Sequence, residues 1–405
     1  MSAPALTTPA PTTPGLPAVD TSPERLEALR AQLAATAPQV DETAEFPWEG
    51  LRAVHSAGLL TATAGGRHLS GVDAVRVFTA LGAGDPSVAL LAAMTVFLHP
   101  LAARTFPQRL LERLLRESAE GPTLLNAVRA EPELGAPARG GLPATTLRRA
   151  GTSGGDGLGW VLDGHKAYAT GSEGLAYHLV WAVTDEPTPR VGHVVVPARR
   201  DDGTPTPGIE VVRTWDHLGM RATSTHDVVY SGVEVPLDHF AGAPVGTVPN
   251  NAAPVDALHL GLPALYLGVA RAAQAAFTDF AHDRVPAALG RPIATTDRIR
   301  AVAGEVEAQL LGAEVILTSL ARAVDESTPG STDRQQALER SGVAKLLVTR
   351  AAITAVETLV GAAGNPGLSR RSPLQRHLRD VLCSRIHPPQ DDTALIALGS
   401  RALTR

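Results

Sequence analysis

Two histidines are the side chains of this chain best suited to proton transfer near neutral pH. His387 follows the amphipathic stretch PLQRHLRD and directly precedes Pro388 and Pro389, and His99 ends the apolar run VALLAAMTVFLH. An imidazole whose pKa lies near neutrality can both donate and accept a proton. Structural roles stay open as well, because His99 could cap a helix and His387 could be a polar loop residue.

The elements that must position these histidines fall into three blocks. Helical periodicity behind a Ser22-Pro23-Glu24 start signal predicts a first helical block. Short runs rich in valine, tyrosine and tryptophan then predict an antiparallel β-domain with a hairpin turn at residues 154–157. Long helical patterns return afterwards and predict a four-helix bundle, so the fold class is α+β. The predicted division is a disordered tail over 1–22, an N-terminal helical domain over 23–120, a middle β-domain over 121–245 and a C-terminal helical bundle over 246–405.

Composition excludes several classes of protein. The formal net charge of −5, with charges of both signs spread along the chain, argues against a nucleic-acid binder. Cys383 is the single cysteine, which excludes an intrachain disulfide and a cysteine-rich metal site, and we propose no metal. The clearest apolar run, Val88 to Leu98, is far shorter than the ~20 residues of a membrane span. Because no secretory signal is visible either, we predict a cytoplasmic protein that does not bind a membrane.

Six motifs occur in a fixed order along most of the chain. They are LRAVHSAGLL, GAGDPSVALLAAMTVFLH, AVRAEPELGAP, DGHKAYATGSEGLAYHLVWA, WDHLGMRATSTHDVVYSGVEVP and GVARAAQAAFTDFAHDR, and SPLQRHLRD follows them. Together with the order of helices, strands and helices, they resemble the acyl-CoA dehydrogenase superfamily. The resemblance implies a flavin cofactor, FAD with FMN as the alternative, and by analogy a homo-oligomer, usually a tetramer.

The resemblance also assigns roles to individual residues. Tyr168 would stack on the flavin ring and Thr170 would bind near its reactive edge, although both residue types are also ordinary in strands. Arg284 would reach a cofactor phosphate, although an arginine also suits a helix end. Arg379 and Asp380 are interpreted as a structural ion pair. The full set is Glu131, Tyr168, Thr170, Ser172, Arg284, Gly361 and Gly364 for the cofactor, Met220, Arg221 and Ser224 for the substrate, and His387 and His99 for catalysis.

One position separates this chain from the best-known reaction of the family. Dehydrogenation of an acyl thioester needs a carboxylate that removes the α-proton. In relatives a glutamate follows the arginine-aspartate pair at the position that Pro388 takes here. Asp256, Asp391 and Asp392 are displaced from the positions that carry the base in the family, and the last two also suit the start of a helix.

The two histidines instead resemble those of the flavin-dependent monooxygenase branch, of the dibenzothiophene monooxygenase type. That branch implies oxygenation of a small organic substrate by reduced flavin and O2 through a flavin C4a-hydroperoxide. A separate flavin reductase is expected, because the chain has no GxGxxG motif after a strand. Two alternatives stay open: an acyl-CoA or carrier-bound acyl dehydrogenase or oxidase with a non-standard base, and a non-catalytic flavin-fold binding protein.

Overall fold

The computed structural model describes residues 15–134, 141–151, 158–247 and 256–404. The hairpin turn predicted at residues 154–157 lies outside these ranges. Within them, helices form the first and last domains and strands form the middle one, which confirms the predicted class and order. The helices are α1 Pro23–Thr43, α2 Trp48–Ser56, α3 Gly71–Gly84, α4 Pro86–Thr105, α5 Gln108–Glu120, α6 Gly261–Asp283, α7 Asp297–Asp325, α8 Thr332–Ser341, α9 Ala344–Ala363, α10 Asn365–Leu368, α11 Pro373–Leu382 and α12 Asp391–Leu403. The strands are β1 Leu124–Val128, β2 Thr146–Gly151, β3 Leu158–Ala169, β4 Leu175–Thr184, β5 Arg190–Pro197, β6 Ile209–Val212, β7 His226–Pro236 and β8 Phe240–Pro244.

The first helix begins as the sequence predicts. The Ser22 hydroxyl accepts a hydrogen bond from the backbone N–H of Arg25, and proline occupies the first turn. The residues just before it are packed: Leu16 is buried, and Arg67 donates to the carbonyls of Leu16 and Pro17 at 3.0 and 2.7 Å. The sequence predicts disorder up to residue 22, but the last residues of this tail, which the structure describes, pack against the N-terminal domain.

Helix α4 runs through the core and carries His99. Its N-cap is Asp85, whose carboxylate accepts from the N–H groups of Ser87 and Val88. Two helical segments, Pro86–Thr105 and Thr332–Ala363, are long and apolar enough to cross a membrane by length and composition alone. More than half of each candidate span lies inside the fold. This is the environment of core helices in a globular domain, which pass the same test.

The β-domain is a mixed sheet, so the antiparallel prediction is wrong in part. The strand order is β6-β7-β3-β2-β4-β5-β8, with β1 paired to β4. Both β1 and β2 run parallel to β4, while the other pairs are antiparallel. Side chains alternate in the same way in both kinds of ladder, so the sequence pattern does not reveal strand direction.

The C-terminal domain packs α6, α7, α9 and α11 against one another, as the predicted four-helix bundle requires. Helix α6 also contacts α3 of the first domain, and Gly82 permits this approach, since a Cβ there would come within 2.1 Å of the Leu265 carbonyl oxygen. The pattern over 333–360 predicts one helix, whereas the structure has two, α8 and α9. The break falls at Gly342, a residue that weakens helices.

Candidate functional site

The loop with the Leu-Gly-Met-Arg motif is fixed to helix α11. The buried Asp380 carboxylate accepts a hydrogen bond from the N–H of Met220 at 2.7 Å. Gly219 packs on the helix backbone, and a Cβ there would come within 2.3 Å of the Arg379 carbonyl oxygen. Only glycine allows so close an approach. Burial raises the pKa of Asp380 to about 7, against the opposing effects of the Met220 N–H and nearby arginines.

Arg379 and Asp380 do not form the ion pair that the sequence suggested. Adjacent residues on a helix point in different directions, so their side chains do not meet. Arg379 instead binds both carboxylate oxygens of Asp41 on α1, at 2.9 and 2.5 Å. The backbone carbonyl of Asp41 accepts a hydrogen bond from Nε of Arg221 at 2.7 Å. The arginine-aspartate dipeptide thus joins three segments of the chain.

Backbone strain is concentrated at the predicted site. Among the described residues, four that are not glycine have positive φ: Ala44 at 55°, Tyr168 at 55°, Met220 at 50° and Ser224 at 46°. Such angles are uncommon outside glycine and persist only where the surroundings impose them. Three of the four are residues to which the sequence assigned cofactor or substrate contacts. The chain is therefore held in specific, costly conformations at these points.

The strained segments hold each other in place. Ser172, after β3, donates from its hydroxyl and its N–H to the carbonyl of Ser224, at 2.7 and 3.0 Å. Thr225 donates to the hydroxyl oxygen of Thr170 at 3.2 Å, and Asn126 of β1 donates to the Thr170 carbonyl at 2.9 Å. The structure thereby brings together Thr170, Ser172 and Ser224. Their contacts to a cofactor or substrate stay predictions.

An exposed aromatic surface lies beside these segments. Tyr168, the next-to-last residue of β3, is 62% exposed, although its neighbours Ala167 and Ala169 are buried. The His217 ring meets Tyr168 edge-on at 6.4 Å and stacks on Trp215 with the centroids 3.6 Å apart. A flat ring could stack on this surface. The sequence assigned Tyr168 to the flavin, interpreted Trp215 as a packing residue and left out His217, although the letters WDH at the start of the motif carried that signal.

The side chain of Glu131 belongs to a buried polar cluster, and the predicted contact of its backbone amide with the flavin stays a prediction. Its carboxylate accepts hydrogen bonds from Nζ of Lys166 at 2.7 Å, from the Thr145 hydroxyl at 2.6 Å, and from the N–H groups of Ala144 and Thr145. Burial favours the neutral acid, but these partners together lower the pKa of Glu131, while burial lowers the pKa of Lys166 to about 8. The Glu131 side chain is thus committed to a buried ion pair, which leaves only its backbone for a cofactor. Lys166 was missed in the sequence.

His387 lies where the chain leaves α11. Its half-buried ring is 5.8 Å from that of Tyr266, whose hydroxyl donates to Sδ of Met220 at 3.3 Å. Nε2 of His387 is shielded from solvent and has no hydrogen-bond partner in the described part of the chain. Burial, with a smaller effect from Lys345, lowers the pKa of His387 to about 4, so the imidazole is neutral at neutral pH.

His99 lies in helix α4 and is buried. Its Nδ1 lies 3.3 Å from the hydroxyl of Thr63, which donates to the carbonyl of Val96. Burial lowers the pKa of His99 to about 4. No hydrogen bond or ring contact between described residues joins His99 to His387. The structure therefore gives the two histidines separate surroundings, and a catalytic role for His99 stays a prediction.

Arg284 lies beside the segment that contains Gly361 and Gly364, two residues for which the sequence also predicted cofactor contacts. Arg284 follows α6, and it lines a cavity of about 380 Å³ together with Ala362 and Ala363. Gly364 has φ 67° and ψ −146°, a backbone conformation that glycine adopts far more readily than other residues. Open space surrounds the Cβ positions of Gly361 and Gly364. The juxtaposition fits the predicted phosphate contact, which stays a prediction.

Comparison with known proteins identifies the family. The N-terminal, middle and C-terminal domains described for acyl-CoA dehydrogenases match residues 26–119, 129–233 and 260–390. The putative acyl-CoA dehydrogenase YdbM of Bacillus subtilis is 31% identical over 94% of this chain and 96% of its own. This chain belongs to the acyl-CoA dehydrogenase superfamily. It is thereby related to flavin-dependent oxidoreductases, and a flavin cofactor follows from the family.

Solved structures of similar fold include proteins of the monooxygenase branch. KijD3, in complex with FMN and a dTDP-linked amino keto sugar, is 27% identical, with a TM-score of 0.77 over 97% of this chain and 96% of its own. The FMN-bound dibenzothiophene monooxygenase TdsC of Paenibacillus sp. A11-2 is 23% identical, with a TM-score of 0.79 over 94% and 96%. The second likeness supports the fold alone.

In this family member, the carboxylates near the C-terminal loop are already engaged. Asp391 pairs with Arg350 at 2.9 Å and with Lys345 at 3.5 Å. Asp256 accepts a hydrogen bond from the N–H of Leu258 at 3.0 Å. The described residues around His387 thus offer an imidazole rather than an unpaired carboxylate. Across the described ranges, no three His, Cys, Asp or Glu side chains are grouped to hold a metal ion.

Proposed function

We propose that this protein is a two-component, flavin-dependent monooxygenase, which receives reduced flavin from a separate reductase and oxygenates a small organic molecule. The observation that carries the proposal is His387: a neutral imidazole with an unpartnered Nε2 stands in the loop where dehydrogenases place their base. Bound reduced flavin supplies the two electrons with which O2 yields one oxygen atom for the substrate and one for water.

The proposed flavin contacts would lie on the β-domain side of the site, and the proposed substrate contacts would lie on the other side. Tyr168 and Thr170 would hold the flavin ring on the β-domain side. Met220 and Ser224, whose strained backbone is fixed by α11 and by Ser172, would shape the substrate side. Because burial keeps the His387 ring neutral at working pH, the ring would first accept a proton at Nε2 and then return it from the imidazolium form.

The relatives support parts of this assignment. KijD3 holds FMN, and FAD and FMN both remain candidates for this chain. We extend the proposal to a homotetramer in the cytoplasm, and to Arg284, Gly361 and Gly364 as contacts to cofactor bound by a neighbouring subunit. Arg221 would border the substrate entrance with its free guanidinium edge.

The test is oxygen-dependent turnover with reduced flavin, using His387→Gln and His99→Gln. We expect His387→Gln to slow product formation by about 10² to 10⁴-fold, the contribution of a positioned proton-transfer group, while flavin affinity is kept. The matched control is His193→Gln, since His193 also has an unpartnered Nε2 and a pKa lowered to about 3 by burial, but lies on β5 against Trp181. The proposal fails if a panel of thioethers, amines and aromatic substrates yields no oxygenated product, or if His387→Gln behaves like the control.

A second candidate function is dehydrogenation of an acyl thioester, favoured by the 31% identity to YdbM. It predicts that acyl-CoA, or an acyl group on a carrier protein, bleaches the oxidised flavin anaerobically without any reductase. The proposed monooxygenase would leave the oxidised flavin unchanged under those conditions. A full chain that takes up neither FMN nor FAD would instead indicate a non-catalytic binding protein.

A further inference from the structure

A large cavity rich in arginine lies between the end of α1, the loop before β7 and the start of α11. Its volume is about 1180 Å³. Five arginines and three carboxylates line it, and we call it the arginine cavity. The charged lining residues are Arg221, Arg370, Arg371, Arg376, Arg379, Asp41, Glu42 and Asp216. Arg379 is engaged by Asp41, so the surplus positive charge belongs to the other arginines.

Arg376 is the unusual member of this set. It lines the cavity although only 7% of its surface is exposed, and its Nε and Nη1 have no hydrogen-bond partner within the described ranges. The carboxylates whose field reaches Arg376 have other partners: Asp85 accepts from the N–H groups at its helix N-terminus, and Asp380 accepts from the N–H of Met220. Burial also raises the pKa of Asp85 to about 6 and that of Asp380 to about 7, which weakens their negative charge. A buried guanidinium with free N–H groups is energetically unfavourable unless something accepts them.

The N-terminus of α11 opens into the same cavity. Ser372, the N-cap, and Pro373, the first residue of this ten-residue helix, are both lining residues. The Ser372 hydroxyl accepts from the N–H of Leu374. A helix N-terminus carries partial positive charge and favours an anion. Arg370 and Arg371 stand at the exposed rim just before it.

We propose that the arginine cavity binds an oxyanion, a phosphate or carboxylate group, with Arg376 as the buried contact and Arg370 and Arg371 at the rim. Arginine suits this role, because its planar fork matches both kinds of group. His217 lines the cavity and also contacts Tyr168, so the anion would lie next to the exposed aromatic surface. It could therefore be the phosphate of a flavin or an acidic group of the substrate. The site does not depend on which reaction the protein catalyses.

Isothermal titration of the flavin-free full chain with inorganic phosphate and pyrophosphate tests the site. We expect saturable, single-site binding that is weakened at least about tenfold by Arg376→Gln, equivalent to about 1.4 kcal/mol. The matched control is Arg385→Gln, an exposed arginine outside the cavity whose nearest carboxylate, Glu357, lies at 3.9 Å. The control should bind like the natural chain.

The double variant Arg370→Gln/Arg371→Gln keeps the test decisive if Arg376→Gln does not fold. It changes two exposed side chains and should weaken binding several-fold. The inference is overturned if the natural chain shows no saturable binding of either anion, or if both the buried and the rim variants bind like the control.

Titration with FMN and with riboflavin identifies the source of the anion. If Arg376→Gln weakens the binding of FMN but not of riboflavin, the cavity holds the phosphate of the flavin. If it affects neither flavin but still weakens the binding of phosphate, the cavity holds an acidic group of another ligand.

Discussion

Two clusters of the candidate site, one on the β-domain side and one on the helical side, differ in how completely their buried polar groups are paired. On the β-domain side, the buried Lys166 and Glu131 satisfy each other, and Ser172 is bonded to Ser224. On the helical side, His387 keeps a shielded nitrogen without a partner, and Arg376 keeps two, within the described residues. Buried polar groups are nearly always paired in folded proteins, so unpaired ones call for an explanation. We infer that the Glu131–Lys166 and Ser172–Ser224 contacts are complete without a ligand, whereas ligands complete the surroundings of His387 and Arg376.

Removing the lysine of the buried ion pair should produce the largest change. Lys166→Met leaves the Glu131 carboxylate buried without its counter-charge, and we expect the free energy of unfolding to fall by about 3–5 kcal/mol. Chemical denaturation measures it. The control, Arg149→Met, removes the partner of Glu186 from a bridge whose arginine is half exposed, and should change stability by at most about 1 kcal/mol. Equal effects of the two variants would show that the β-domain side is not held by its buried pair.

The junction between the two sides depends on a glycine. Gly219→Ala would force a Cβ to within 2.3 Å of the Arg379 carbonyl oxygen. We expect a loss of about 1–3 kcal/mol in denaturation experiments, as for other overpacked sites. Gly304→Ala in α7 is the control, since open space surrounds that position, and it should stabilise the protein slightly. A neutral Gly219→Ala would mean that α11 can move away from the loop.

The buried aspartate at that junction should make stability depend on pH. The pKa of Asp380 is about 7 in the folded chain against 3.8 in the unfolded one, so the folded state binds more protons between these values. The stability it contributes is fully present below about pH 4 and is lost as the pH rises through 7. Asp380→Asn keeps an oxygen for the Met220 N–H and removes the titration.

Urea denaturation at about pH 5, 6 and 7 measures this effect. Relative to the natural chain, Asp380→Asn should gain about 1 kcal/mol per pH unit as the pH rises, close to the limit for one group. Asp163→Asn is the control, because Asp163 is exposed and its carboxylate likewise accepts from a backbone N–H, that of Gly232. Parallel curves for the natural chain and Asp380→Asn would contradict the raised pKa.

The smallest expected effect concerns the exposed ring of the β-domain side. Tyr168→Ala removes a stacking surface worth about 0.5–1.5 kcal/mol, so flavin affinity should fall about 2- to 10-fold. Tyr168→Phe should bind flavin like the natural chain, since the hydroxyl is not needed for stacking. Quenching of flavin fluorescence on titration measures both. If the alanine variant binds as tightly as the phenylalanine variant, the flavin does not stack on Tyr168.

Much of the fold could be predicted from local patterns. The helical pattern over 297–325 predicts the helix Asp297–Asp325. Six of the eight described strands overlap the apolar runs that predict them, TLLNAV, WVLDGHKAYAT, AYHLVWAVT, VGHVVVP, IEVVRTW and HDVVYSGVEVP. Strands β2 and β8 were missed, because TLRRAG and FAGAP are short and lack an apolar alternation. The parallel pairing of β1 and β2 with β4 could not be read at all, because it depends on which strands meet in space.

Some features of the candidate site could likewise be predicted from the sequence, and others could not. Tyr168, Met220 and Ser224 lie in motifs with recognisable letters, and the structure adds that their backbones are strained. Trp215 stacks on His217 of its own motif, where the letters WDH carried the signal. Lys166 stood inside one of these motifs, but its partner Glu131 comes from another segment, so its role could not be predicted. The assumption that Arg379 pairs with its neighbour failed for the same reason: its partner, Asp41, is 338 residues away.

Local sequence patterns were enough for the family and for the order of helices and strands, and they predict that Pro388 replaces the usual base. These properties are carried by residue types at short spacing, which the chain alone contains. The tertiary structure alone decided which polar atoms are paired. It pairs Glu131 with Lys166, and among the described residues it leaves Nε2 of His387 and Nε and Nη1 of Arg376 without partners. It also places Arg376 in the lining of a cavity. Pairing and desolvation depend on segments that are distant in sequence, and they set the protonation of His387 and Asp380.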